Sequence, residues 1–324
     1  MIWGTYDSLL LDLDGVVYEG ANAIADAVPT INGFLAAGVP IGYVTNNSSR
    51  KPETMAQQLE GFGISCEPRT VISSGQTGVE LLAGKIPPGA KVLVVGGEGL
   101  RARVIGAGFE LVGSSDDKPA AIIQGFSPDV SWRDLAEAAY SIQNGAIWVA
   151  TNSDWTIPQE RGLAPGNGTL ISAVHTAVGS LPDVAGKPEP AIFETAVREL
   201  GLSKPLFVGD RLDTDVLGAN RANIDSALVM TGVSTRKELL AAGSDSRPKF
   251  ILGTLADLRA PYQAPIATKR GYKCGKVSVE LLGNKVLVVD GDPRSLDALK
   301  AATAVIWNSG YAIHALDVEA AIYD

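Results

Sequence analysis

Apolar residues occur along the chain in short unbroken runs, separated by stretches with helical spacing. The runs at 8–18, 39–45 and 91–96 predict strands, the first of them interrupted by acidic residues at its end. Strands without a polar face are typical of a parallel sheet that helices cover on both sides. Helical periodicity at 26–37 and 52–61 follows the first two runs. This alternation predicts an α/β fold built on a doubly wound, Rossmann-like parallel sheet.

The same alternation continues through the rest of the chain. Further strands are predicted, in chain order, at 109–112, 120–126, 146–151, 205–209, 226–230 and 250–258, the last as a short strand and turn. Further helices are predicted at 98–106, 131–143, 169–179 and 188–200. A Pro- and Ala-rich linker is predicted at 260–268. Beyond it we predict a small α+β extension, with hairpin strands at 276–282 and 285–290, a helix at 294–305 and an extended segment at 311–317.

Length, composition and charge exclude several classes of protein. The chain has 324 residues, 46% of them hydrophobic and 19% charged, so it buries a sizeable core and is not intrinsically disordered. Its net charge of −9 argues against nucleic acid as a partner, because such binders carry a basic surface. No secretory signal begins the chain, and no apolar run reaches the ~18 residues of a membrane helix. We therefore expect a cytoplasmic protein without membrane insertion.

The two cysteines give no sign of a disulfide framework or a zinc site. Cys66 and Cys274 are distant in sequence, and no C-x-x-C motif occurs. With only two histidines in the chain, spacing alone assembles no Cys/His metal site.

Asp12 and Asp14 follow the first predicted strand. Residues two apart on a strand point to the same face, so both carboxylates would project beyond the carboxyl edge of the sheet, where open α/β sheets bind ligands. Two close carboxylates require a cation, or a proton on one of them. The alternative is an Asp-Gly turn, completed by Gly15, in which the acids have no further role.

A second acidic group, Asp210, Asp213 and Asp215, follows the strand predicted at 205–209. Three carboxylates so close together at a strand end suit a hard divalent cation. The alternative is a solvated helix start, since Asp is also a favourable N-cap residue.

Two polar groups of the chain suit an anion. Thr45, Asn46 and Asn47 follow the strand at 39–45 and offer a hydroxyl, amides and backbone N–H groups. Lys187 precedes a predicted helix, where its charge adds to the positive end of the helix dipole. The alternatives are an ordinary exposed turn and an ordinary exposed lysine.

In chain order, these four motifs resemble those of the haloacid dehalogenase-like (HAD) phosphohydrolases, and especially their NagD-type (IIA) subgroup. The resemblance extends over about 5–258, and it implies Mg²⁺-dependent hydrolysis of phosphate monoesters. The matching segments are 12–16, 44–48, 186–188 and 209–215, with further matches at 150–154 and 165–168.

The resemblance implies a role for each acidic residue. Asp12 is the nucleophile that forms an aspartyl-phosphate, and Asp14 is the general acid and base. Mg²⁺ is held by Asp12, the backbone carbonyl of Asp14 and Asp210, with Asp215 in support.

The polar residues also receive roles from the resemblance. Thr45, the backbone around Asn46, and Lys187 hold the oxygens of the transferring phosphoryl group. Asn47 faces the substrate.

A segment of about 140 residues separates Thr45 from Lys187, which is too long for a connection without its own fold. We therefore predict an inserted α/β cap at 77–180, within a hydrolase core of 1–76 and 181–260. In the resembled subgroup the cap closes over the site and sets specificity.

Candidate substrate contacts on the predicted cap are Thr151, Asn152 and Asp154, together with the Gly- and Pro-rich turn at 162–168. For each of them the alternative is an ordinary loop.

The predicted extension, 269–324, lies beyond the usual extent of the family. Similar phosphatases of actinobacteria, which act on glycerol 3-phosphate, carry an extension likened to a truncated acetyltransferase. No turn for the coenzyme A pyrophosphate is present here, so no acetyl transfer is expected. Packing, regulation and homodimer formation stay open as its role.

The resemblance makes a small phosphorylated metabolite the expected partner. Glycerol 3-phosphate is the first choice of substrate, and phosphoglycolate, a sugar phosphate and a nucleotide stay open. A sensor that binds phosphorylated ligands without hydrolysing them is an alternative function.

One motif favours a different alternative, an NAD(P)-dependent oxidoreductase. Gly97, Gly99 and Ala102 follow an apolar strand with the spacing of a dinucleotide fingerprint, and Asp116 and Asp117 lie about 20 residues further on. No hydride-transfer residues accompany the motif, so the competing interpretation is a tight turn between strand and helix.

Overall fold

The apolar runs of the sequence become short, mostly buried strands. The computed structural model describes residues 4–159 and 161–324. The N-terminal segment in which no secretory signal is predicted begins with the first three residues, which lie outside the described ones. The strands are β1 (Ser8–Leu11), β2 (Tyr18–Glu19), β3 (Asn22–Ala23), β4 (Ile41–Thr45), β5 (Val71–Ser73), β6 (Lys91–Val95), β7 (Glu110–Val112), β8 (Ala121–Gln124), β9 (Ile147–Ala150), β10 (Thr156–Gln159), β11 (Gly162–Pro165), β12 (Asp183–Val184), β13 (Pro205–Gly209), β14 (Ser226–Val229), β15 (Phe250–Leu252), β16 (Ile266–Ala267), β17 (Gly271–Cys274), β18 (Val277–Leu282), β19 (Lys285–Asp290) and β20 (Asp317–Val318).

Most helices lie within a few residues of their predicted positions. They are α1 (Ala27–Ala36), α2 (Pro52–Gly61), α3 (Ser74–Ala83), α4 (Glu98–Gly106), α5 (Trp132–Gln143), α6 (Asn167–Val178), α7 (Ala191–Leu200), α8 (Leu217–Arg221), α9 (Arg236–Leu240) and α10 (Leu296–Asn308). None of the helices in the described part of the chain is long and apolar enough to span a bilayer.

The chain divides into two compact units. The first consists of Met1–Pro40 and Lys204–Asp324, and the second consists of Ile41–Ser203. These limits differ from those expected for a core and a cap, so the predicted boundaries at 76/77 and 180/181 stay a prediction.

The first unit contains a parallel sheet with the strand order β15-β14-β13-β1. Every residue of β1 and β13 is buried, as expected for strands covered on both faces. Leu11 lies opposite Val208 in this register, so the two strands end side by side. The residues that follow them, Asp12 and Asp210, therefore emerge at the same sheet edge.

The first predicted strand is shorter than expected. It ends at Leu11, and the next residues form a turn in which Val17 N donates to the Leu13 carbonyl (2.9 Å). Gly15 adopts a φ of +80°, which favours glycine. The apolar run therefore continues into the core as a loop.

The C-terminal part of the first unit has its own sheet, ordered β16-β17-β18-β19-β20. The predicted hairpin is confirmed as β18 and β19, joined by a turn in which Gly283 has a φ of +65°. Helix α10 packs against β17 and β18. This arrangement confirms the predicted α+β extension.

Two expectations for the extension were wrong. The predicted linker at 260–268 contains β16, and Tyr262 packs edge-on against Phe250 with ring centroids 5.0 Å apart. The segment predicted as extended at 311–317 forms a 3₁₀ turn at Ile313–Ala315. Only Asp317–Val318 is a strand, and it pairs in parallel with β19.

The second unit contains a parallel sheet ordered β12-β9-β8-β6-β7, and a separate parallel pair, β4 and β5. Side chains from α3 and α4, including Leu82 and Val104, share a hydrophobic cluster with one face of the larger sheet. Side chains from α5 and α6, including Ala138 and Ile171, share a cluster with its other face. The predicted α/β class with parallel, doubly covered sheets is thereby confirmed.

Candidate active site

Three buried carboxylates meet at the strand ends of the first unit. Asp12, Asp210 and Asp215 each offer an oxygen, and these oxygens all lie within 4.8 Å of one another. Asp12 directly follows β1, and its backbone N–H donates to Val208 O of β13 (2.9 Å). The last hydrogen bond between the strands thus fixes the position of Asp12.

Asp215 also closes the turn that presents Asp210. Its Oδ2 accepts hydrogen bonds from the backbone N–H groups of Asp210 (3.1 Å) and Arg211 (3.0 Å). A Cβ at Gly209 would collide with the Asp215 carboxylate, so this approach requires glycine. The carboxylate of Asp215 therefore sets the geometry of the whole turn.

A loop at 231–234, which the sequence did not point to, holds Asp210 from the other side. Val233 N donates to Asp210 Oδ2 (2.7 Å), and Ser234 N donates to Asp210 O (3.1 Å). Ser234 Oγ accepts a hydrogen bond from Leu212 N (3.0 Å), which links this loop to the Asp215 turn. Nothing in the composition of this loop distinguishes it from an ordinary turn.

Asp14 lies outside the carboxylate cluster and is exposed. Gly15, the next residue, approaches Asp210 so closely that a Cβ would overlap the carboxylate. The hydroxyl of Thr231 donates to the Gly15 carbonyl (2.7 Å). The role of Asp14 as general acid and base and the metal contact of its carbonyl both stay predictions.

Asp213 belongs to an ion pair and not to the cluster. Arg211 donates to both of its carboxylate oxygens, at 3.0 and 2.8 Å. Burial alone would raise the pKa of Asp213, but these hydrogen bonds and the charge of Arg211 lower that pKa below its usual value.

The carboxylate cluster fits a hard divalent cation. Three buried carboxylates within 4.8 Å repel one another strongly unless a cation or bound protons compensate them. Oxygen-only donors of this kind are preferred by Mg²⁺ and Ca²⁺. The predicted metal ligands Asp12, Asp210 and Asp215 therefore form a plausible donor set by their chemistry.

In the second unit, Thr45 and Asn47 close the turn that follows β4. Thr45 Oγ1 accepts a hydrogen bond from Asn47 N (3.1 Å). Asn47 Oδ1 in turn accepts from the backbone N–H groups of Ser49 (3.1 Å) and Arg50 (3.2 Å). Both side chains thus shape the loop, and their contact with a substrate stays a prediction.

Asn46 connects this loop to Lys187. Its Oδ1 accepts from Lys187 N (2.8 Å), and its Nδ2 donates to Lys187 O (3.0 Å) and to both carboxylate oxygens of Asp154 (3.0 and 3.2 Å). Lys187 is 2% exposed and donates from Nζ to Val44 O (3.3 Å), within β4. The structure therefore places Lys187 against the segment that carries Thr45 and Asn46, and their joint binding of a phosphoryl group stays a prediction.

The three candidate cap residues lie around the same loop. Asn152 Nδ2 donates to Asn46 O (2.8 Å), and the hydroxyl of Thr151 donates to Ser48 Oγ (2.9 Å). Thr151 is fully buried and Asn152 nearly so. These contacts favour a role in holding the loop, and the predicted contact with a substrate stays a prediction.

The turn predicted at 162–168 is β11 and the first turn of α6. Strand β11 pairs with β10 in a hairpin that the sequence did not predict. Asn167, at the start of α6, donates from Nδ2 to Asn152 O (2.8 Å). A Cβ at Gly168 would collide with the Ser153 carbonyl, which explains the glycine.

Comparison with known proteins identifies the family. A model of the haloacid dehalogenase-like hydrolases matches residues 9–110, and a second HAD-hydrolase-like model matches residues 184–258. The D-glycerol 3-phosphate phosphatase of Mycobacterium tuberculosis is 38% identical over 313 residues, which cover 94% of this chain and 86% of that protein. The chain belongs to the haloacid dehalogenase-like hydrolases.

Other known proteins are also similar to this chain. The acid sugar phosphatase of Staphylococcus aureus is 37% identical over 236 residues, which cover 72% of this chain and 90% of that protein. Among solved structures, a magnesium complex of glycerol phosphate phosphatase from M. tuberculosis has a TM-score of 0.85 at 36% identity, covering 98% of this chain and 94% of that chain. A thermostable NPPase from Geobacillus stearothermophilus has a TM-score of 0.72 at 32% identity, covering 78% and 98%. The predicted family and its enzyme class, a phosphatase, are confirmed.

Within this HAD-like hydrolase, the glycine motif at 97–102 has a packing explanation. Gly99 lies in the first turn of α4, and a Cβ there would collide with the carbonyl of Ser49, in the loop after β4. The glycine thus permits close packing of helix and loop. This contact favours the tight-turn interpretation over a dinucleotide site.

Proposed function

We propose that this protein hydrolyses glycerol 3-phosphate to glycerol and inorganic phosphate, with Mg²⁺ as its cofactor. The observation that carries the proposal is the buried cluster of Asp12, Asp210 and Asp215. A cluster of this kind, at the carboxyl end of parallel strands, suits a metal that binds a phosphate ester.

The similarity to the mycobacterial enzyme supports this choice of substrate. It covers 94% of the chain, whereas the predicted core and cap end at residue 260. It therefore includes part of the extension, in addition to the four motifs. Phosphoglycolate, sugar phosphates and nucleotides are the competing substrates.

The proposed reaction has two steps. In the first, a carboxylate oxygen of Asp12 attacks phosphorus, the bond to the glycerol oxygen breaks, and Asp14 gives that oxygen a proton. In the second, water attacks the aspartyl-phosphate, Asp14 accepts the water proton, and the phosphorus–carboxylate bond breaks. Phosphate leaves, and both aspartates return to their initial states.

The remaining predicted residues lower the barrier by charge and position. Asp12, the Asp14 carbonyl and Asp210 would hold Mg²⁺, with Asp215 in support; the cation would offset the repulsion between an anionic nucleophile and an anionic phosphate. Thr45, the backbone around Asn46, and Lys187 are proposed to bind the transferring phosphoryl oxygens. That these polar residues act together with the aspartates is inferred from the order of the motifs in the family.

The cap and the cellular setting complete the proposal. We propose that 77–180 act as a cap whose residues, Thr151, Asn152 and Asp154 among them, define the substrate side together with Asn47 of the loop after β4. A cytoplasmic location agrees with two buried cysteines that form no disulfide. Homodimer formation stays a prediction.

Phosphate release from a panel of phosphomonoesters tests this proposal. We expect turnover in Mg²⁺ that disappears in EDTA, with glycerol 3-phosphate favoured by about tenfold or more in kcat/KM. A different preferred ester would correct the substrate alone. A folded, Mg²⁺-binding protein that releases no phosphate from any ester would contradict the phosphatase and support a sensor.

A further inference from the structure

The C-terminal extension shares one hydrophobic core with the segments that carry the metal-site aspartates. Residues from β17–β19 and α10 lie in the same buried cluster as residues of the core sheet and its helices. That cluster includes Leu212 and Val216, which flank Asp213 and Asp215, and Leu239 and Leu240 of α9. The Asp215 turn therefore packs in a core to which the extension contributes.

Helix α9 links the extension to Asp210. It begins directly after the loop at 231–234, whose N–H groups bind Asp210. Thr235 caps the helix in a capping box with Glu238, so loop and helix are joined without a flexible interval. A displacement of α9 would displace this loop as well.

The extension contacts the start of α9 and the segment that follows the helix. At its start, Arg236 donates to the carbonyls of Arg294 (2.6 Å) and Ile322 (3.3 Å), both in the extension. Beyond its end, Arg247 donates from Nε to Ala242 O (3.1 Å) and stacks over the Trp307 ring at 4.9 Å from the centroid. These contacts tie the helix to α10 and to the C-terminal segment.

We propose that the extension is a positioning element of the metal site, acting through α9 and the loop at 231–234 on Asp210. The inference rests on the proposed Mg²⁺ site and goes beyond it by giving the extension a role. Arg236 is a positioning residue in this scheme, because it contacts neither the carboxylates nor the substrate. Contacts behind metal ligands of this kind contribute to metal affinity.

The test compares three single variants in the full-length chain. Arg236→Ala removes both contacts with the extension, whereas Arg236→Lys keeps a cation and hydrogen-bond donors. Arg294→Ala is the matched control, because its side chain forms only an exposed pair with Asp324 (3.5 Å) among the described residues. Mg²⁺ affinity is measured by calorimetry at 25 °C, and melting temperatures in EDTA establish that each variant is folded.

We expect Arg236→Ala to weaken Mg²⁺ binding about threefold or more, Arg236→Lys to restore part of the affinity, and Arg294→Ala to bind like the wild type. An Arg236→Ala variant with a lowered melting temperature but wild-type Mg²⁺ affinity would overturn the inference. The phosphatase proposal fails separately, if the wild type binds Mg²⁺ and releases no phosphate. In that case the ratio of the Mg²⁺ affinity of Arg236→Ala to that of the wild type still decides the role of the extension.

Discussion

At the scale of single residues, Asn46 shows how a polar side chain can position another residue of a predicted site. Both of its amide atoms bind Lys187 or Asp154, and its carbonyl accepts from Ser74 (2.7 Å) and Asn152 (2.8 Å). Its partners stand up to 141 residues away in sequence. The motif after β4 identified Asn46, but these partners depend on packing that no local pattern contains.

Replacing Asn46 should therefore impair the reaction through Lys187. We expect Asn46→Ala to lower kcat/KM by about 10²-fold, because small displacements of Lys187, which we propose binds the phosphoryl group, would cost that much. Phosphate release under saturating and limiting substrate measures the effect. Asn308→Ala removes an exposed asparagine of α10 and serves as the control. An Asn46→Ala enzyme with more than half of wild-type kcat/KM would exclude the positioning role.

Asp12 combines two predicted roles, nucleophile and metal ligand. We expect Asp12→Asn to reduce turnover on the order of 10³-fold or more, since an amide does not attack phosphorus. Removal of one of three clustered charges should also leave the melting temperature in EDTA at or above that of the wild type.

The matched control for this variant is Asp213→Asn, which changes an aspartate of the Arg211 ion pair outside the cluster. Its activity should stay within a few-fold of wild type. If purified Asp12→Asn keeps more than about a tenth of wild-type turnover, covalent catalysis by Asp12 is wrong.

At the scale of secondary structure, long periodic segments were predictable and short irregular ones were not. Helices α2 and α4 have the bounds that the sequence predicts. Helix α3 was missed: Gly75 and Gly78, poor helix formers, lie where a Cβ would come within 3.3 Å of Ser48 and 3.2 Å of Ile123. Close tertiary packing thus requires glycines in this helix, and their low helix propensity is the reason that the sequence did not predict it.

Gly99 gives a test of such close packing. Gly99→Ala places a methyl group against the Ser49 carbonyl, so we expect a loss of about 1–3 kcal/mol in the free energy of unfolding. Gly106→Ala, in the same helix, meets no atom within 4 Å and should stabilise by about 0.4–1 kcal/mol. Urea denaturation distinguishes the two, and equal effects would show that α4 does not pack tightly on the loop.

At the scale of the whole molecule, the buried titratable groups of the extension make stability depend on alkaline pH. Burial and the neighbouring Asp297 raise the pKa of Cys274 from 9.0 to about 12. Between these values the unfolded thiol loses its proton and the folded one keeps it, so the folded state loses stability as pH rises. Burial likewise raises the pKa of Tyr262, in the segment that precedes the extension, to about 12.

Cys274→Ser should reduce this alkaline loss. The hydroxyl keeps a donor for Asp297, which the thiol approaches at 3.4 Å, and it does not ionise in this range. Above pH 9, we expect the free energy of unfolding to fall less steeply in the variant than in the wild type, with slopes that differ by about 1.4 kcal/mol per pH unit. Urea denaturation at pH 8 and pH 10.5 measures the slopes. Identical slopes in variant and wild type would mean that Cys274 does not contribute.

The division of the first unit into two chain segments has a consequence for biosynthesis. Strand β1 and Asp12 are made before all of Ile41–Ser203, whereas their neighbour β13 begins at Pro205. At about 5–20 residues per second, the ribosome needs roughly 10–40 s to pass from Asp12 to Asp210. The shared core is complete only when Ile322 has been added. A chain released before Asp210 has been added therefore carries Asp12, the predicted nucleophile, without the other two carboxylates of the cluster.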